Sequence, residues 1–212
     1  MFQQGWSAIH IVAWNGYSDV CALLLTTPGL DVNLPGGTPD DQQPGNTSTL
    51  ASNTSGSTIS TISSGSTTSV GGSSGTSELS TSGSSGTTAL HLASQRGHED
   101  VVRQLLADTT SPRSCDVIRG AVIGEHSGVT ALHLAAHNGH AAICRLLLSA
   151  AAASNCKTAA VNASMTARRR GIGGLTPLHL AVEADHMDVM DVLIEAGCDV
   201  QSTTQGSEET VC

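Results

Sequence analysis

The stretch TALHLAAHNGH, residues 130–140, holds His133, His137 and His140. The first two are four residues apart, the spacing by which one helix offers two imidazoles to a metal ion. The competing reading is that these histidines are scaffold. Which reading holds depends on whether the rest of the chain repeats them.

It does. SAIHIVAWNGYSDVCALLL from Ser7, TALHLASQRGHEDVVRQLL from Thr88, TALHLAAHNGHAAICRLLL from Thr130 and TPLHLAVEADHMDVMDVLI from Thr176 align on His10, His91, His133 and His179. His140 also has counterparts, in Tyr17, His98 and His186. A residue present in every layer braces every layer, by hydrogen bonds to neighbouring turns. Only His137 stands at a changing position, with Trp14, Gln95 and Glu183 in the same register. The triplet is therefore two scaffold residues and one variable residue, and neither a metal set nor a cofactor is expected. Similar stability losses on replacing His91, His133 or His179 by alanine follow from that reading.

Each aligned segment reads as two helices. Ser7, Thr88, Thr130 and Thr176 can cap the first through their hydroxyls, and Pro177 suits a first helical position. Gly16, Gly97 and Gly139 can end that helix in the left-handed conformation. Asp185 takes their place in the last segment and tolerates the conformation at small cost. A second apolar stripe follows, as in Val101, Val102, Leu105 and Leu106, or Val189, Met190, Leu193 and Ile194. Cys21, Val102, Cys144 and Met190 share one register, so those two cysteines are core residues rather than redox centres.

These residues resemble the ankyrin repeat, whose signature is T-P-L-H-x-A with a glycine closing the first helix. The resemblance covers residues 5–33, 86–118, 128–162 and 174–201. It implies an all-α solenoid of stacked helix-turn-helix units joined by β-turn finger loops, with a concave face that binds other proteins. It also implies that the variable positions select the partner: Trp14, Gln95, Arg96, His137, Asn138 and Glu183. The structural signature is His10, His91, His133 and His179 with Gly16, Gly97 and Gly139.

The spacing departs from a regular period of about 33 residues, since the reference histidines are 81, 42 and 46 residues apart. The excess falls after each second helix, near finger landmarks at Asp31, Cys115, Ala159 and Cys198. Loop insertions there leave the stacked helices alone. From Gly45 to Gly86, 33 of 42 residues are Ser, Thr or Gly, with Glu78 the single charge. Residues 34–85 are therefore expected to be a disordered, flexible insertion that detaches the first repeat (5–33) from the other three (86–201). A polar tail spans 202–212.

Composition narrows the function. The net charge is −9 and no Lys or Arg precedes Arg96, which argues against nucleic-acid binding. Arg168, Arg169 and Arg170 read as a solvated loop. The six cysteines form no CxxC pair, and no apolar run is long enough to span a membrane. The start, MFQQGWSAIH, lacks the pattern of a secretion signal, so an intracellular, cytoplasmic or nuclear protein is expected. GxSxG, P-loop, HExxH and dinucleotide fingerprints are missing. The C-terminal ETVC is a weak candidate for strand addition to a peptide-binding groove. The expectation is a monomeric, non-enzymatic scaffold or adaptor that binds another protein. The alternative is a regulatory fragment of a larger enzyme, channel or signalling protein.

Overall fold

A computed structural model of the chain describes residues 5–37, 85–107, 117–124, 126–167 and 172–206. Four helix pairs follow one another: α1 (Ala8–Asn15) with α2 (Ser18–Leu25), α3 (Ala89–Arg96) with α4 (Glu99–Ala107), α5 (Ala131–His137) with α6 (Ala141–Ala153), and α8 (Pro177–Glu183) with α9 (Met187–Glu195). A short α7 (Lys157–Val161) follows α6. First helices pack on first helices, α1 on α3, α3 on α5 and α5 on α8, while α2, α4, α6 and α9 form the second layer. One apolar core runs through all four pairs, from Ile9 and Val12 to Val192 and Leu193. The first pair, far from the second in sequence, stacks directly on it and belongs to the same compact unit.

Strands modify the expected all-α class. The fingers are antiparallel strand pairs rather than β-turns: β1 (Gly36–Gly37) with β2 (Ser85–Thr87), β3 (Ala121–Ile123) with β4 (His126–Val129), and β5 (Met165–Ala167) with β6 (Ile172–Leu175). With β7 (Gln205–Gly206) they hydrogen-bond in chain order into a seven-stranded sheet. Beneath it Ala121, Ile123, Val129, Leu134, Met165 and Leu180 form a second apolar cluster. The finger landmarks read from sequence lie before the strands: Val32 is in a turn, and Ala160 and Val161 are in α7. Residues 34–37 and 85 of the expected insertion include β1 and the start of β2, so the two ends of that segment are paired. The rest of it, together with Cys115, Arg168–Arg170 and ETVC, lies outside the described residues.

The first helices close on glycine as expected, with Gly16 at φ 75° and Gly97 at φ 79°, and Asp185 adopts the same conformation at φ 58°. Cys21 and Cys144 are fully buried, and burial pushes the Cys144 thiol up to about 12. That is the environment of an inert core thiol. Among the described residues no helix is long and apolar enough to cross a membrane.

Candidate functional site

The cap hydroxyls do something other than cap the backbone alone. In each repeat the Ser or Thr hydroxyl lies against the imidazole three residues on: Ser7 to His10 Nδ1 at 2.7 Å, Thr88 to His91 at 2.9 Å, Thr130 to His133 at 2.8 Å and Thr176 to His179 at 2.7 Å. The backbone N–H of the same residue donates to that Nδ1 at 3.2 Å every time. Histidine here takes the part that Glu or Gln takes in a capping box. Thr130 Oγ1 also accepts from the backbone N–H of His133 at 3.4 Å.

The opposite nitrogen points to the next repeat. His10 Nε2 meets Thr87 O at 3.3 Å, His91 Nε2 meets Arg119 O and Val129 O at 3.0 and 3.1 Å, and His133 Nε2 meets Leu175 O at 3.1 Å. A carbonyl only accepts, so Nε2 donates and Nδ1 is the acceptor, which fixes a neutral ring with its proton on Nε2. Burial lowers His91 and His133 from 6.5 to about 4, and lowers His10 as well. Both nitrogens of His133 are thus committed to protein partners. For His179, no carbonyl meets Nε2 among the described residues.

A second series of histidines reaches backwards. His98 Nε2 donates to Trp14 O at 3.0 Å, His140 to Gln95 O at 3.3 Å and His186 to His137 O at 3.1 Å. Each ring then lies over the glycine that ends the preceding first helix. A Cβ on Gly16 would fall 2.5 Å from His98, one on Gly97 2.6 Å from His140, and one on Gly139 2.8 Å from His186. These glycines answer two demands, a positive φ and the ring of the following repeat.

The variable row lies at the C-terminal ends of the first helices. Arg96 is exposed and sets its guanidinium 4.5 Å from the centre of the Trp14 ring, a cation–π contact. Trp6, which the alignment did not single out, packs on Trp14 with ring centres 5.5 Å apart and stacks on His10. Its only sequence signal is that the chain has just two tryptophans. Gln95 is half-buried, and Asn138 is exposed with its side chain amide donating to Leu134 O at 2.8 Å. Glu183 is exposed in the last repeat. His137 is only 9% exposed, so a visitor meets little more than its edge. The row thus joins an Arg–Trp stack at one end to a carboxylate at the other. Its main-chain carbonyls at Trp14, Gln95 and His137 are occupied by the backward-reaching histidines.

A family model described as the ankyrin repeat matches residues 4–36 and 85–117. A second, described as ankyrin repeats in three copies, matches residues 111–204. No curated protein matches the chain significantly.

Proposed function

Because the chain belongs to the ankyrin-repeat family, whose repeats generally mediate protein–protein interaction, we propose that it is a non-enzymatic adaptor. In this reading its partner docks along the row at the ends of the first helices. The observation that carries the proposal is the Arg96–Trp14 stack with Trp6 behind it. Tryptophan and arginine dominate the energetics of protein interfaces because they combine large apolar area with directed polar contact. Here the guanidinium is held over a ring whose own body is anchored in the core, so little side-chain freedom is lost on binding. Glu183, on the last layer, supplies a charge of opposite sign, which would fix the direction in which a partner lies. One fully buried histidine in each inner repeat, His91 and His133, with both ring nitrogens bonded to protein partners, supports a rigid scaffold in place of a catalytic centre. A monomer acting inside the cell is part of the same proposal.

Site-specific photo-crosslinking in the full chain tests it. A photoreactive residue at Gln95 should capture a discrete protein partner, whereas one at Arg103, on the exposed side of α4, should not. Capture at Gln95 should be abolished by Trp14→Ala combined with Arg96→Glu. Equal capture from both positions, insensitive to that double substitution, would defeat the reading. Removing residues 1–85 is a poorer test, because α1 and α2 cover the apolar faces of α3 and α4.

A further inference from the structure

Inside the stack, each repeat covers the apolar edge of the one before it. Ala13, Ser94 and Ala136 hold one such position and are fully buried. Val32, Val117 and Val161 hold a second and are buried, while Leu25, Leu106 and Leu148 hold a third, half-buried in the first two repeats and 4% exposed at Leu148. In the fourth repeat the same three positions are Val182, Val200 and Ile194, exposed by 58%, 65% and 52%. They form an open apolar edge of the kind that a helix pair covers elsewhere in this protein.

A further repeat of the same kind does not fit that edge. Each incoming repeat lays a histidine ring where the preceding glycine has no Cβ, within 2.5 to 2.8 Å of where one would stand. The fourth repeat has Asp185 there, with a real Cβ at the same positive φ. A second copy added end-on meets the same obstacle, since its first repeat presents Tyr17 in the histidine register. Two copies joined edge to edge would bring carboxylate against carboxylate. Val182 is followed by Glu183, Ile194 by Glu195, and Val200 is preceded by Asp199, all of them exposed. No Lys or Arg occurs anywhere after Arg170.

The fourth repeat itself flanks this apolar strip only with carboxylates, Glu195 sharing a groove with Arg145 and Lys157 of the preceding repeat. Such a strip matches an apolar strip flanked by cations. We propose that the outer edge of the fourth repeat docks an amphipathic helix of a protein partner whose Leu-type stripe is bordered by Lys or Arg, with Asp185 keeping further repeats away. This surface meets the row containing Trp14 and Arg96 only at Glu183, and Val182, Ile194 and Val200 lie outside that row.

Fluorescence anisotropy of the full chain tests the proposal with two labelled synthetic helices. One carries leucines at i, i+3, i+4 and i+7 bordered by lysines; the other has glutamates in place of the lysines. The lysine helix should bind saturably at one site and the glutamate helix should not. Val182→Ser or Ile194→Ser should weaken binding at least fivefold. Glu183→Lys with Glu195→Lys should weaken it at least tenfold, against less than twofold for Asp19→Lys with Asp100→Lys, which alters the total charge equally. These side chains are exposed, and thermal melts should show every variant folded, the control pair slightly less stable because Asp100 pairs with Arg103 and both aspartates begin helices. Equal losses in the two charge-reversal pairs would reduce the effect to general attraction and overturn the proposal. So would loss of binding with Trp14→Ala but not with Ile194→Ser. A dimer in sedimentation velocity that Val182→Ser and Ile194→Ser abolish would give the edge to a second copy instead, and would likewise overturn it.

Discussion

Nε2 of His133 donates to the carbonyl oxygen of Leu175, 42 residues away, at 3.1 Å, while Nδ1 of the same ring is held by Thr130. One side chain thereby closes its own helix start and fastens the strand leading to the next repeat. The contact turns a local capping device into a joint between layers, and its buried polar atoms are satisfied at both ends.

Replacing that joint should be costly where both halves exist. His91→Ala and His133→Ala each remove a fully buried ring and strand a cap N–H and a carbonyl, so each should lower stability by about 3 kcal/mol. His179→Ala, at a half-buried position that shows only the Nδ1 half, should lose about 1 kcal/mol. Urea denaturation of the three variants measures this. Equal losses would show that the bond to the next finger contributes little.

Acid should weaken the stack at a defined place. His91 and His133 titrate near 4 in the folded protein, below their ordinary 6.5. Protons therefore bind the unfolded chain first, and stability is full above pH 6.5 and drains away as pH falls towards 4. The two rings should each contribute on the order of 3 kcal/mol to that loss. Denaturation curves from pH 7.5 to 4 should show it, and the slope should be shallower in His91→Gln, even though that variant is less stable at neutral pH.

The glycine–histidine contact allows a paired test. Gly97→Ala places a Cβ 2.6 Å from the His140 ring at φ 79° and should destabilise by about 2 kcal/mol. Adding His140→Ala removes the clash but not the backbone strain, so the double variant should lose less than the sum of the single losses. Asp185→Gly meets no ring and should be neutral or slightly stabilising. Thermal melts of the four variants check this, and strict additivity would argue against the contact.

The Arg96–Trp14 stack should matter more to spectra and binding than to folding. Arg96→Gln should change stability by less than about 1 kcal/mol. It should shift tryptophan emission, because the guanidinium lies over one of only two indoles in the chain. An unchanged spectrum would mean the two groups do not meet in solution.

Much of this architecture is legible in one dimension because the aligned histidine recurs. It locates all four helix pairs and the glycine turns, and it separates His133 and His140 from His137. The fingers are a different matter. Strands such as Ser85–Thr87 and Ala121–Ile123 are three residues long, too short to show the alternation that marks a strand. Helix α7 has five residues, too few for a helical stripe, and Ala159–Val161 reads as a finger for that reason. Burial of His137 is not legible in the alignment, because variability between layers reports the absence of a shared role, not exposure. The alignment sets histidine next to glycine in the second and third repeats, yet the meaningful contact is between the histidine of one repeat and the glycine of the one before. Only folding reveals that pairing, and only then does Asp185 change from a weak turn into a barrier.

Gly36 faces Thr87 and Gly37 faces Ser85 across adjacent antiparallel strands, so the chain departs from the stack and rejoins it at neighbouring points, about 5 Å apart. Such a doorway is blind to the length of what passes through it. A folded guest with adjacent termini, such as a fluorescent reporter, could replace residues 38–84 and leave the helix pairs in register. The protein thus offers a natural graft point between the first and second helix pairs, through which binding at the outer edge of the last repeat could be followed without touching it.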